Sequence, residues 1–302
     1  MGPESIKNSF TTIKQDVFNQ AALRLIHKSK EPHYFKTLQN TIEYNLPPEF
    51  IGTIAEKVRE GHKIMLYSNH TSHAEGLPYM GIADMLISQT DVKGFYMLVA
   101  ASIATNNQNQ VVEKMYSEFY DEYYERGIEF LEITRSRDVE QYGMKKENVK
   151  PIRQLVRGMR NGKGMIIFPE ASVQGGRKDH AGERYGIQQV EPDVQELLTF
   201  LCGMYNIIFV PIALDGGYNL YDPHIKRPPV STMADLYLST RLGRVPKKRL
   251  RATMGAPFTL DDLEGVTDET GRIDGKVLTE YMMRHVATML PEELRGIYRF
   301  TL

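Results

Sequence analysis

A helical run followed by a short apolar run occurs three times along this chain. The helical runs cover residues 49–60, 151–160 and 193–204, and the apolar runs after them cover residues 64–67, 165–168 and 206–214. Continuous apolar runs of this length are typical of strands buried on both faces, and their alternation with helices is typical of parallel sheets. The sequence therefore predicts an α/β fold, a largely parallel mixed sheet flanked by helices on both faces.

Two further strands and a closing helix complete the expected domain. Strand-like runs cover residues 127–133 and 249–255, and an amphipathic helix is predicted over residues 277–290. Before them, helix-compatible runs at residues 6–29 and 33–44 end at Pro47-Pro48. We expect a small N-terminal helical element over residues 1–47 and an α/β domain over residues 48–302.

Composition limits the classes of partner and location. The formal net charge of −1 gives no general attraction to polyanions, so any anion binding must be local. The single cysteine, Cys202, excludes an internal disulfide, and its apolar helical surroundings predict a packed thiol. The longest apolar run, residues 95–104, is too short to span a membrane, and the N-terminal residues lack an export signal. We expect a cytoplasmic protein, at most peripheral to a membrane.

A histidine and a carboxylate follow the apolar run at residues 64–67. His70 and Glu75 lie five positions apart in a polar segment, where a neutral imidazole can accept a proton near pH 7 and a carboxylate can stabilise the imidazolium. His70 is thus a candidate general base and Glu75 its orienting partner. His73 lies between them, but the spacing differs from that of the usual zinc motifs, so we expect no metal.

Two other strand ends bear polar and basic side chains. Residues 134–138 include Arg135 and Arg137, which would face one side of an extended strand and could bind a phosphate, or could form a solvated edge. After the apolar run at residues 165–168, Glu170 could cap the structure or orient an acceptor; further candidate ligands there are Ser172, Arg177 and Lys178. Because parallel strands end at one edge of a sheet, the three clusters are expected to form one site.

Taken in order, these segments resemble the motifs of the glycerolipid acyltransferase family, most closely its soluble plastid-type glycerol-3-phosphate acyltransferases. Asn69-His70 with Glu75 is similar to the Asn-His-x4-Asp motif, residues 127–137 to the second motif and residues 168–172 to Phe-Pro-Glu-Gly-Thr. Residues 210–214 and 254–258 resemble the fourth motif and the Gly-x-Pro end of the domain. The chain departs from the family pattern at three positions: Glu75 replaces aspartate, Ala171 replaces glycine and Val173 replaces arginine.

The resemblance implies transfer of a fatty acyl group from coenzyme A or acyl carrier protein to glycerol 3-phosphate, in phospholipid biosynthesis. His70 would be the base and Glu75 its partner, with the acceptor and its phosphate bound by Arg135, Arg137, Glu170, Ser172, Arg177 and Lys178. No cofactor would be needed. Two alternatives stay open: a lysophosphatidate-type acceptor, or a non-catalytic or hydrolytic acyl-binding protein on the same fold.

A basic run between residues 241 and 251 adds a candidate contact surface. It could be a solvated face, or it could contact acyl carrier protein, coenzyme A phosphates or anionic lipid headgroups. We expect no nucleic-acid partner, because the run is accompanied by no known binding motif.

Overall fold

The computed structural model describes residues 41–70, 76–100, 120–170, 186–217, 249–267 and 269–299, without the side chains of Arg137, Gln141 and Tyr142. The predicted helical runs between residues 6 and 40 lie outside this part of the chain, as does most of the basic run at residues 241–251.

Seven strands and six α-helices form the described fold. The strands are β1 (Ile42–Asn45), β2 (Lys63–Ser68), β3 (Phe95–Ala100), β4 (Ile128–Ile133), β5 (Gly164–Ile167), β6 (Ile207–Asp215) and β7 (Leu250–Met254). The helices are α1 (Pro48–Arg59), α2 (Gly76–Gln89), α3 (Ser136–Tyr142), α4 (Val149–Arg160), α5 (Pro192–Cys202) and α6 (Gly275–Thr288). Three short 3-10 helices follow β7, at Leu260–Asp262, Glu292–Leu294 and Gly296–Tyr298.

The strands form one mixed sheet in the order β1-β7-β6-β2-β5-β3-β4. Every neighbouring pair is parallel except β6 and β7, which are antiparallel. The predicted fold class, a largely parallel mixed sheet with helices, is therefore confirmed.

Helices cover both faces of the sheet because alternate side chains of the central strands point in opposite directions. In β2, Ile64 and Leu66 pack into the core formed with α1 and α2, while Met65 and Tyr67 pack into the core formed with α4, α5 and α6. All four side chains are almost fully buried. Burial on both faces explains why these strands have continuous apolar sequences rather than alternating ones.

One prediction near the start of the domain is wrong. Residues 33–44 were expected to be helical, but Ile42–Asn45 form strand β1 at the edge of the sheet. The strand pairs in parallel with β7, with Ile42 opposite Leu250. Its alternation of Ile42, Glu43 and Tyr44 fits a strand with one buried face, and the partner strand that decides the matter is distant in sequence.

The composition led to two expectations, a packed Cys202 thiol and no membrane-spanning helix. Cys202 is a free, partly buried thiol at the end of α5, and burial raises its pKa to about 12. Within the described residues, no helix has the length and apolar character that a membrane span requires.

Candidate active site at the carboxyl edge of the sheet

Strands β2, β4, β5 and β6 point the same way, so their carboxyl ends share one edge of the sheet. The three strands that precede the predicted polar clusters, β2, β4 and β5, therefore end at this common edge. Strands β2 and β5 are direct neighbours, whereas β3 separates β5 from β4. At about 4.8 Å between neighbouring strands, the end of β4 lies about 14 Å across the sheet from the end of β2. The ends of β2 and β5 thus lie side by side, and the end of β4 lies further along the edge.

Asn69 fixes the end of β2 to β6. Its side-chain amide donates to the carbonyl oxygen of Leu214 at 2.8 Å, and its side-chain oxygen accepts the Leu214 N–H at 2.8 Å. The side chain is fully buried. These two hydrogen bonds extend the pairing of β2 with β6 one residue beyond the strand. The backbone directly before His70 is therefore held in place.

Glu170 fixes the same position from β5. Its Oε1 accepts the backbone N–H of His70 at 3.2 Å, and its Oε2 accepts the backbone N–H of Gln188 at 3.1 Å. The carboxylate is fully buried, and hydrogen bonds of this kind offset the cost of burying its charge. Of the two roles considered for Glu170, this geometry corresponds to structural positioning.

The His70 ring is held on one side and partly exposed overall. It packs against Phe168, with ring centroids 4.4 Å apart and planes 30° apart. Phe168 in turn meets the buried ring of Tyr79 edge to face at 5.8 Å. The imidazole therefore has a fixed apolar support at the edge of the sheet, in a residue that is half-buried as a whole.

The segment at residues 186–191 contacts Pro169 and Glu170 and is itself held by residues near the C-terminus. Glu191 donates its N–H to the Pro169 carbonyl, and Ile187 exchanges backbone hydrogen bonds with Leu294 and Ile297 near the C-terminus. Burial raises the pKa of Tyr298 to about 12, and the negative charges of Glu280 and Glu170 act in the same direction. The C-terminal 3-10 helices thus brace the segment that holds the Glu170 carboxylate.

The turn after β4 differs from the prediction. Arg135 and Arg137 were expected on a strand extension, but α3 begins at Ser136 and Arg135 is its N-cap. The Arg135 guanidinium binds Asp138 through Nε at 2.8 Å and Nη2 at 2.6 Å, and Asp138 also accepts the Arg135 N–H. The Asp138 side chain is only 1% exposed. This local ion pair turns the chain into a helix, which the spacing of the two arginines did not reveal.

The residues on either side of Arg135 are also fixed. Thr134 exchanges two backbone hydrogen bonds with the Asn148 side chain, both at 2.8 Å. Ser136 donates its N–H and hydroxyl to Asp193, which Lys146 also binds at 2.9 Å. Burial raises the pKa of Asp193, but the hydrogen bonds from Ser136 and Lys146 outweigh it, and the pKa falls below its ordinary value. Three consecutive residues are thus held by three different side chains.

The structure brings His70 and Glu170 together and leaves Arg135 further along the same edge. The other predicted site residues, together with His73, fall outside the described part of the chain: Glu75, Ser172, Arg177 and Lys178. Arg137 is described only by its backbone, within α3. Their roles stay predictions.

Sequence reasoning missed several residues at this edge. Asp215 ends β6 next to Leu214, and burial raises its pKa, although Arg251 acts in the opposite direction. A polar residue at the end of an apolar strand is the same signal that pointed to the other three clusters. Gln188 and Asp138 gave no such signal, because their roles depend on contacts that form only in the fold.

The described residues include no group of three histidine, cysteine, aspartate or glutamate side chains arranged to hold a metal ion.

No protein-family model matches the chain, and no curated protein sequence is significantly similar to it.

Proposed function

We propose that the protein is an O-acyltransferase that moves a fatty acyl group from the thioester of coenzyme A or acyl carrier protein to a hydroxyl of glycerol 3-phosphate. The observation that supports this most is the way His70 is held. Glu170 accepts its backbone N–H, Asn69 joins the preceding strand end to β6, and the residue is half-buried at the edge of the sheet. A positioned imidazole of this kind suits proton transfer.

The proposed reaction uses His70 as a base and then as an acid. Its imidazole takes the proton of the acceptor hydroxyl while the hydroxyl oxygen attacks the thioester carbon. The tetrahedral intermediate then collapses, the carbon–sulfur bond breaks, and the departing thiolate takes the proton back from the imidazolium. A general base of this kind typically contributes about 10²- to 10⁴-fold to the rate. Glu75 would stabilise the imidazolium, and the reaction needs no cofactor.

Glu170 contributes to this reaction through His70 rather than through the acceptor. Both of its carboxylate oxygens accept backbone N–H groups, and the side chain is buried. By fixing the His70 backbone before substrate binds, it removes a reorganisation that would otherwise accompany each turnover.

Recognition of the acceptor phosphate is proposed for Arg135, together with Arg137, Ser172, Arg177 and Lys178. Asp138 binds Nε and Nη2 of Arg135, which fixes the plane of the guanidinium group. A guanidinium in a fixed plane is a good partner for a phosphate. A lysophosphatidate-type acceptor presents the same phosphate and is the nearest alternative. We expect the reaction to belong to phospholipid biosynthesis in the cytoplasm, with the protein at most peripheral to a membrane.

The proposal is tested by incubating the full chain with palmitoyl-coenzyme A or palmitoyl-acyl carrier protein, with and without glycerol 3-phosphate. Thiol release and formation of acylglycerol 3-phosphate are measured together. Acyl transfer predicts thiol release that depends on the acceptor and matches the ester formed. Thiol release that is independent of glycerol 3-phosphate, with free palmitate as the product, would contradict it.

One observation favours hydrolysis as a second candidate function. Two cations near the end of β4 have internal carboxylate partners, Arg135 with Asp138 and Lys146 with Asp193. Such pairing reduces the positive charge available to an acceptor phosphate. A thermal-shift titration separates the two candidates: glycerol 3-phosphate should raise the melting temperature of an acyltransferase, and a hydrolase with water as its acceptor should show no shift.

A further inference from the structure

Helix α4 bears a line of positive charge that the candidate site does not use. Four exposed basic side chains follow one another at helical spacing, and we call them the basic stripe: Lys150, Arg153, Arg157 and Arg160. At 100° per residue they lie within an arc of about 80°, and at 1.5 Å per residue the line is about 15 Å long. The helix contains no acidic residue.

The core holds the basic stripe in its outward orientation. Leu155 and Met159 lie on the opposite side of α4 and are completely buried against β4 and β5. The Tyr205 hydroxyl also donates to the Val156 carbonyl at 2.9 Å. The helix cannot rotate to relieve the crowding of its cations without exposing this core.

The basic stripe has no acidic partner among the described residues, since none of its four side chains forms an ion pair there. Basic residues on other surfaces do, as in Lys57 with Glu60, Arg284 with Glu280 and Arg299 with Glu292. The whole chain has a net charge of −1, so the stripe does not follow from a generally basic composition. Like charges at this spacing repel one another, and an anionic partner would remove that repulsion.

The neighbouring helix limits the shape of the partner. Helix α5 has no lysine or arginine, and it bears Asp193 and the exposed Glu196. On the side of α5, the positive region therefore ends at α4. A flat anionic bilayer resting on α4 would also approach these carboxylates, whereas a single acidic helix could lie along the stripe and avoid them. Of the apolar side chains of α4, Leu155 and Met159 are buried and Ile152 and Val156 are partly buried, so only Val149 is exposed enough to insert into a bilayer.

The position of α4 connects the basic stripe with the candidate site. Asn148, the N-cap of α4, binds Thr134 at the end of β4, directly before Arg135. The Lys150 end of the stripe therefore lies next to the carboxyl edge of the sheet, and the Arg160 end points away from it. A partner bound along the stripe would have one end close to the edge where His70 lies.

We propose that the basic stripe docks an acidic helix of the protein that delivers the acyl thioester. The identity of the thioester rests on the proposed function, whereas the docking of an acidic helix does not. Carboxylates at helical spacing on the partner would pair with the basic stripe. The attached acyl group would reach the carboxyl edge of the sheet from the Lys150 end of the stripe.

The test compares the double variant Arg153→Glu/Arg157→Glu with a control, Arg59→Glu/Lys276→Glu, which changes the net charge equally on other exposed surfaces. Binding of palmitoyl-acyl carrier protein to the full chain is measured directly at low and high salt, alongside binding to phosphatidylglycerol vesicles. The stripe variant should bind the carrier at least roughly tenfold more weakly, and the control should bind like the wild type. Where transfer occurs, kcat/KM for palmitoyl-coenzyme A should stay unchanged in both variants.

The binding measurement decides the proposal even if acyl transfer fails. Stripe-dependent carrier binding without transfer from either donor would support the docking surface and contradict the proposed function. The docking proposal is overturned if the wild type does not bind the carrier, or if the stripe variant binds it as tightly as the control does. It is also overturned if the stripe variant loses vesicle binding alone, which would identify the stripe as a lipid contact.

Discussion

Glu170 accepts the backbone N–H of His70 at 3.2 Å, although the two residues are 100 positions apart in the sequence. The second oxygen of the same carboxylate accepts the Gln188 N–H. One buried acidic side chain thus connects the ends of two neighbouring strands with a segment braced by the C-terminus. The position of the candidate base depends on this carboxylate rather than on the loop sequence around His70 alone.

The variant Glu170→Gln should lose both stability and activity. An amide offers one oxygen acceptor and one NH₂ donor, so one of the two backbone N–H groups would face a donor. We expect the free energy of unfolding to fall by about 1–3 kcal/mol, the usual cost of leaving a buried polar group unsatisfied, and kcat to fall with it. Urea denaturation and the acyl-transfer assay measure the two effects. The matched control is Glu264→Gln, on an exposed residue. A Glu170→Gln protein with the same stability and kcat as this control would contradict the bridging role.

Asn69→Asp tests the connection between β2 and β6. The carboxylate can still accept the Leu214 N–H, but it has no donor for the Leu214 carbonyl and brings a negative charge close to it. We expect a loss of about 1–3 kcal/mol in the free energy of unfolding near neutral pH, shrinking as acid protonates the new carboxyl group. Denaturant titrations at several pH values measure this. Equal stability of variant and wild type near pH 7 would show that the Asn69 donor is not needed.

Much of this fold was predictable because its signals are local. The apolar runs at residues 64–67, 165–168 and 206–214 overlap β2, β5 and β6, and the helices between them favour the parallel pairing that these strands have. Strand β1 was not predictable, since four residues fit either a helix or a strand until β7 lies beside them.

The candidate site was only partly predictable for a related reason. His70 could be identified from its place after a strand, but the role of Asn69 depends on Leu214, a partner 145 positions away. The direction in which Arg135 points was equally hidden. It depends on the neighbouring Asp138, with which the guanidinium forms a local ion pair in the folded chain.

Under the proposed function, Asp138→Asn should affect the acceptor more than the donor. Without the ion pair, the Arg135 guanidinium loses the fixed plane that suits a phosphate. We expect the KM for glycerol 3-phosphate to rise several-fold while the KM for the thioester and kcat change little. Steady-state kinetics with each substrate varied in turn measure the difference, with the exposed Asp261→Asn as control. Equal increases in both KM values would mean that Asp138 supports the fold alone.

His285 should make the stability depend on pH. His285 lies on α6, and its ring is near those of Tyr281 on the same helix and Phe258, which follows β7. Burial lowers the pKa of His285. The unfolded chain therefore binds a proton more readily than the folded one, so this contribution to the free energy of unfolding falls as the pH drops through the ordinary histidine pKa of about 6.5. Denaturation of the wild type and His285→Gln on both sides of that pH measures it. The variant should lose less stability in acid, and an identical loss would remove His285 as the cause.

The central claim is that His70 is the general base of acyl transfer, and its most direct test is the rate of palmitoyl transfer to glycerol 3-phosphate by the wild type and by His70→Ala. The hydrogen bond to Glu170 uses the backbone N–H of His70, so the substitution leaves that contact in place and the thermal midpoint should change little. We predict measurable transfer by the wild type and a rate at least about 10²-fold lower in His70→Ala. A folded His70→Ala protein that transfers the acyl group at the wild-type rate would contradict the claim.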